Sequence, residues 1–309
     1  MKEMLTVSSS PHIKRPDTTR GIMSDVVIAL APAATYGCIL FGLRALAVLI
    51  TCVGVAVLSE FLWNKALKKP NTIKDMSAVV TGLLLGMNLP PTLPLWQAAI
   101  GSVAAIIVVK QMFGGLGHNF ANPAIAARIM LLVSFPAAMT RFTEPVSDAV
   151  TSATPLAGTA GALSFKTLFF GMHAGSIGET SAFLLIVGGL YLVIRRVITP
   201  VIPVCFIGTV ALSLIAGENV MLSVFGGGLI LGAVFMATDY TTSPTTPLGK
   251  AVFAVGCGII TFVIRKFGAL PEGVSYSILL MNILVPHINR FTLSKPFGFE
   301  KVKEAAKSE

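Results

Sequence analysis

Residues Leu46–Trp63 read LAVLITCVGVAVLSEFLW, eighteen residues with a single charged side chain, Glu60. At about 1.5 Å per residue, a helix of this length nearly spans the ~30 Å hydrocarbon layer of a bilayer. Similar apolar runs fill the chain: Asp25–Gly42, Met76–Leu89, Leu95–Met112, Ala121–Ala138, Ser181–Ile194, Thr199–Ala216, Met221–Thr238, Ala251–Ile264 and Ser275–Ile288. The composition agrees. Of 309 residues, 54% are hydrophobic and 12% charged, and the mean hydropathy is +0.82. A soluble domain carries about 25% charged residues. The expected fold is therefore an all-α integral membrane protein of about ten transmembrane helices, with no separate soluble domain.

The net charge of +9 does not signal nucleic-acid binding, because the positive residues sit in loops beside apolar runs and form no patch on a soluble fold. They orient the chain instead. With the N-terminus inside, the cytoplasmic side receives seventeen Lys and Arg: Lys2, Lys14, Arg15, Arg20, Lys65, Lys68, Lys69, Lys74, Lys110, Arg195, Arg196, Lys250, Arg290, Lys295, Lys301, Lys303 and Lys307. The outside receives five, Arg44, Arg141, Lys166, Arg265 and Lys266, and Arg128 lies within a span. This split favours both termini in the cytoplasm, with residues 1–24 and 291–309 as cytoplasmic segments. Met1–Asp25 lacks the apolar core and cleavage site of a cleavable signal peptide. Cys38, Cys52, Cys205 and Cys257 stand singly in apolar runs, without the spacing of a zinc or iron–sulfur site, and read as small packing residues.

An internal repeat emerges at an offset of about 150 residues. Gly82–Pro94 reads GLLLGMNLPPTLP and Gly232–Pro244 reads GAVFMATDYTTSP; each opens on Gly and breaks at a Pro/Thr-rich stretch before a further span. Chance similarity between small-residue helices is the competing explanation. If the repeat holds, residues 25–138 and 181–290 are two halves of about five spans each, and the odd number inverts the second half. Paired broken segments in such folds mark a midplane site, because they free backbone groups to hold a ligand or ion. Residues 139–180 form the long external loop between the halves. A connection longer than about 15 residues in a compact protein usually carries function or is disordered.

Within that loop lies Asp148-Ala149-Val150-Thr151-Ser152-Ala153-Thr154-Pro155-Leu156. On residue chemistry alone it is a turn-forming, solvated linker in which Pro155 biases Thr154 towards an extended conformation. The segment also resembles the flavinylation motif of the Rnf and Na⁺-translocating NADH:quinone oxidoreductase membrane subunits: an Asp, two residues, then Ser/Thr-Gly-Ala-Thr. Asp148, Thr151, Ala153 and Thr154 match, and Ser152 stands where the family usually has Gly. A second stretch, Gly114-Gly115-Leu116-Gly117-His118-Asn119-Phe120-Ala121-Asn122-Pro123-Ala124, resembles the GGxGxNxxNPA run of the same subunits. Its Asn122-Pro123 can start a helix. The resemblance covers about Ile22 to Arg290, and length sides with the Rnf branch, the RnfD family.

The resemblance implies covalent FMN in phosphoester linkage to Thr154, with Asp148, Thr151, Ser152 and Ala153 as the surrounding motif. A separate flavin transferase would make the bond, so no catalytic residue or metal ligand is expected in this chain. Noncovalent riboflavin is a further cofactor of the family. The implied function is that of a membrane subunit in a redox-driven, ion-translocating ferredoxin:NAD⁺ oxidoreductase of the inner (cytoplasmic) membrane. The implied partners are Rnf subunits A, B, C, E and G, the flavin loop lies on the outer face, and the implied architecture is urea-transporter-like. Glu60, Arg128 and Asp239 are charges within or beside apolar runs, which cost free energy unless paired or hydrated. Asp239 and Glu60 are ion-pathway candidates, with interfacial anchoring or a structural ion pair as the alternative. His118, His173 and His287 have no metal-ligand spacing. A solute channel or transporter without a redox role explains the spans and broken helices equally well, but not the Asp148–Thr154 motif.

Overall fold

The computed structural model describes residues 18–70, 72–143, 150–151, 164–212, 219–268 and 273–293. Among them the chain is helical apart from one two-residue β-ribbon. Helix α1, Thr19–Phe41, starts where the Thr18 hydroxyl accepts the Gly21 N–H. A single residue, Gly42, turns the chain into α2, Leu43–Ala66. A 3₁₀ turn at Ile73–Asp75 precedes α3, Ser77–Met87. Helix α4, Leu95–Val103, follows the proline-rich break and runs on as widened π-helical turns, Ala104–Gln111. Helix α5, Pro123–Ser134, and the short α6, Pro136–Met139, complete this part.

Strand β1, Phe142–Thr143, pairs antiparallel with β2, Val150–Thr151. Then come α7, Phe165–Phe170, α8, Ala182–Ile194, and α9, Val201–Ala211. The apolar run Met221–Thr238, read as one span, is broken. Three glycines, Gly226–Gly228, separate α10, Val220–Phe225, from α11, Leu229–Leu231, which continues as π-helical turns at Gly232–Met236. Glycine withholds the side-chain contacts that would favour helix and leaves the backbone free to bend. Helices α12, Pro247–Phe267, and α13, Val274–Thr292, close the described chain.

Three helices, α1, α2 and α12, with 23, 24 and 21 residues, are individually long and apolar enough to cross a membrane. The shorter apolar helices are laid against these long ones. Helix α2 packs on α3 and α4, α12 packs on α9 and α13, and α1 meets α8. Small residues make the close approaches that helix association in lipid requires. A Cβ on Gly82 would fall 2.7 Å from the Val53 Cα, and one on Gly86 would crowd Leu49 and Cys52. All four cysteines are free thiols, and Cys52 and Cys257 are buried in the packing.

Polar contacts identify two ends of the bundle. At one, Arg195 pairs with Asp25 at 3.2 Å, Tyr240 donates to the Val197 carbonyl, Lys250 to Thr199, and Thr246 to Thr292. This end collects the α1, α3 and α12 starts with the α8 and α13 ends. At the other, Thr92 donates to the Arg141 carbonyl and Arg265 to the Ser223 carbonyl.

The end of α3 draws part of the loop expected over residues 139–180 into the protein packing. Its last carbonyls, Met87 and Leu89, accept the N–H groups of Gly178 at 2.7 Å and Ile177 at 3.2 Å. Helix C-termini leave such carbonyls unpaired, and a buried one must find a donor. Residues His173, Ser176, Ile177, Glu179 and Thr180 are accordingly buried. A Cβ on Gly178 would stand 2.5 Å from the Met87 Cβ. Gly178→Val should therefore push the loop off α3 and destabilise the fold by about 1–3 kcal/mol, the usual range for overpacking. The check is a lowered midpoint of thermal unfolding of the protein in detergent.

Candidate functional site

Both stretches of widened helix end at one place. A π-helical turn adds a residue to the helical circuit and is found frequently at functional sites. The first ends at Lys110 and Gln111; the second ends at Met236, three residues before Asp239. Between them lies a cavity of about 80 Å³, lined by Lys110, Asp239, the first turns of α3 and the Asn119–Pro123 stretch. Its other walls are apolar, among them Val80, Leu84 and Phe235. It lies at the end of the bundle marked by Val197 and Tyr240, which also line it.

Asparagines hold the second break open. The Asn122 Nδ2 donates to the Met236 carbonyl at 3.2 Å, while its Oδ1 caps α5 by accepting the Ala124 and Ile125 N–H groups. Asn88 donates to the Leu84 carbonyl and touches the Met236 sulfur at 3.4 Å. With its amide nitrogen directed at the Thr242 carbonyl (2.9 Å), Asn282 accepts the Asn122 N–H at 3.1 Å. The preceding glycines form the tight turn into this anchor: Gly114, Gly115 and Gly117 have φ of +120°, +93° and +95°, a region that side chains disfavour.

The two ion-pathway candidates have different surroundings. Glu60 is fully buried, and the Lys110 ammonium lies 2.7 Å from its Oε2. That ammonium also donates to the Ser77 hydroxyl at 2.6 Å, which in turn donates to Asp75 at 2.6 Å. Thr72 donates to the other Glu60 oxygen, and Asn64 donates to Thr72. Lys110, counted by its charge among the cytoplasmic-side residues, is thus a 1% exposed member of an ion pair inside the bundle. Asp239 accepts only from neutral groups of its own turn: the Thr241 N–H and hydroxyl and the Thr242 hydroxyl. No cation pairs with it among the described residues.

A second buried pair lies near the end of α3. Arg128 donates to Glu179 at 3.3 Å and to the Ser275 hydroxyl at 2.6 Å. The sequence marked Arg128 as costly but placed Glu179 in the external loop. Its only signal there was the need of a buried guanidinium for an acid. His173 lies in the same buried loop, its Nδ1 3.1 Å from the Ala174 carbonyl.

Of the flavinylation motif, Thr151 lies in β2, where its backbone pairs with Phe142 at the end of the bundle opposite the cavity. Asp148, Ser152, Ala153 and Thr154 lie outside the described residues.

This assembly of lipid-compatible helices, interrupted around buried charge, defines a polytopic membrane protein with a largely apolar cavity, bordered by Lys110 and Asp239, between broken helices. Residues 6–298 match the NQR2, RnfD, RnfE family model, and the chain belongs to that family. It is 49% identical to the D subunit of the Na(+)-translocating ferredoxin:NAD(+) oxidoreductase complex of Acetobacterium woodii, over 98% of each chain. It is 45% identical to the proton-translocating counterpart of Clostridium ljungdahlii, over 96% of this chain and 97% of that one. With the D subunit of the ion-translocating oxidoreductase complex of Halorhodospira halophila it shares 35% identity over 96% of each.

Breaking a buried ion pair leaves one charge uncompensated and costs about 3–5 kcal/mol, while removing both charges together is often near neutral. Arg128→Leu should therefore lower the unfolding temperature sharply, and Arg128→Leu/Glu179→Leu should recover most of the loss. Equal destabilisation by the single and double variants would show that the pair has no such role.

Proposed function

We propose that this chain is the D-type membrane subunit of an ion-translocating ferredoxin:NAD⁺ oxidoreductase, carrying covalent FMN on Thr154 and relaying electrons in a process coupled to Na⁺ or H⁺ movement. The observation that carries this reading is the near-complete match to subunits so named, joined to the Asp148-Ala149-Val150-Thr151-Ser152-Ala153-Thr154 motif. When bound, FMN supplies the electron-carrying chemistry, and the protein supplies position and electrostatics. The Thr154 hydroxyl provides the phosphoester oxygen, and a separate transferase makes the bond. The neighbours in the complex would be subunits A, B, C, E and G.

The architecture that fits this role is an inverted repeat of about ten spans, urea-transporter-like, in the cytoplasmic membrane. Three features support it. The broken stretches after α3 and after the second π-helical segment are each followed at once by a helix, starting at Leu95 and Pro247. Helix α4 packs on α2 as α12 packs on α9. Helices α1 and α8, and likewise α5 and α13, meet across the halves. The basic end, with Arg195, Arg196 and Lys250, would face the cytoplasm by the positive-inside rule. Thr151 and the flavin loop would then face outward.

Asp239 and Glu60 are the proposed ion-pathway carboxylates, supported by their places in and behind the cavity.

The rival is a solute channel without a redox role. Co-expression with a flavin transferase and a denaturing gel separates the two. The wild-type band should fluoresce under flavin excitation, and Thr154→Ala should be dark. A dark wild-type band, or a Thr154→Ala band of equal brightness, would sink the redox reading.

A further inference from the structure

The charges at the cavity do not balance as a set of fixed pairs. Lys110 pairs with Glu60, while Asp239 on the other wall of the cavity and Asp75, which accepts from Ser77, have no Lys or Arg partner among the described residues. Lys110 rests on Glu60 and Ser77, which use two of its three N–H groups. The third has no hydrogen-bond partner among the described residues, and Lys110 lines the cavity that Asp239 lines from the other wall. Asp239, for its part, accepts only from its own turn among the described residues, with no Lys or Arg paired to it there. A lysine carries its charge on a flexible four-carbon stem. Here the stem stands at the end of a π-helical segment. Loss of the extra residue from a helical circuit turns the following side chains by about 100°.

We propose that Lys110 is a tethered cation that alternates between Glu60 and Asp239, and that the carboxylate it leaves takes up an alkali-metal cation, Na⁺. The proposal deepens the reading of this chain as a subunit of an ion-translocating complex and rests on it. The oxygens around the ammonium are those a hard cation prefers: Glu60 Oε2 and the Ser77 hydroxyl, with the Thr72 hydroxyl on the other Glu60 oxygen. Electrostatics enforces the exchange. An uncompensated carboxylate inside the bundle is costly, so the ammonium leaves Glu60 only as another cation arrives, and it neutralises Asp239 only as that site is emptied. The alternation makes the movement of one charge conditional on the movement of the other, without a continuous open pore.

Two measurements test this. In the first, Lys110→Ala is purified and its unfolding temperature compared in NaCl and choline chloride at equal ionic strength. The variant exposes the Glu60, Ser77 and Thr72 oxygens without the ammonium, so Na⁺ should raise its unfolding temperature. The rise should exceed that of the wild type and of Glu60→Gln/Lys110→Ala, in which Na⁺ can reach only Asp239. A Lys110→Ala protein that is indifferent to Na⁺, or that folds in neither salt, overturns the proposal. The second measurement uses inverted vesicles containing the whole complex with Glu60→Gln/Lys110→Met, a change that removes both members of the buried pair together. The complex should assemble with its flavin label in place and lose ferredoxin-driven ²²Na⁺ uptake. Uptake at the wild-type rate per assembled complex, or a wild type that acidifies its vesicles without taking up ²²Na⁺, overturns it. A wild-type band without flavin fluorescence would sink the redox reading instead. The salt-dependent unfolding of Lys110→Ala, which needs no electron transfer, would then decide the tethered cation independently.

Discussion

A peptide group or charge without a partner costs several kcal/mol when no water can reach it, and the whole bundle is arranged around that constraint. Helix α3 stops at Met87, inside the protein, with carbonyls that no further turn of helix will use. The backbone of a loop more than eighty residues away supplies the donors, through Ile177 and Gly178. The second interrupted helix stops at Met236, and there the donor is the Asn122 side chain. Each break is thus possible only because a distant segment is folded onto it. This explains why glycines and asparagines, rather than large apolar residues, crowd the two sites. It also ties the halves of the chain together: Asn122 and Asn282 meet each other while each serves the neighbourhood of the second break.

The same constraint governs charge. Buried Arg128 and Lys110 each have a carboxylate within 3.3 Å, and each also donates to a serine. The two pairs differ in what surrounds them. Arg128 is held between a loop and α13 by bonds from its rigid guanidinium, which suits a structural brace. Lys110 borders a cavity and leaves a donor unused among the described residues, which suits a group that moves. Coupling between sites requires an element with two discrete arrangements, the role proposed for the π-helical segment that ends at Lys110. The ribbon of Phe142–Thr143 with Val150–Thr151 and this cavity lie at opposite ends of the bundle, with the packed helices between them.

Much was legible in the sequence because it depends on local composition. Apolar length gave the helices α1, α2 and α12, and two of the single cysteines, Cys52 and Cys257, are buried in the packing. Asn122-Pro123 announced the start of α5, since both residues act within one turn of the helix they begin. Family membership was legible for a related reason: two short motifs in order, within a chain of the expected length, are specific even when each alone is weak. The run Met221–Thr238 misled because apolar composition does not show where three glycines will let a helix break.

What the sequence by itself determined is the solvent the chain is built for, its helical class, its family, and which residues bring charge into apolar runs. What only the tertiary structure decided is which charges meet. Glu60 and Lys110 are fifty residues apart, and Arg128 and Glu179 fifty-one. Periodicity and propensity act over a turn or two of helix, so they cannot tell a charge that anchors at an interface from one that is neutralised inside. That distinction is made when helices pack, because only then does the loss of water force each buried charge to take the partner within reach.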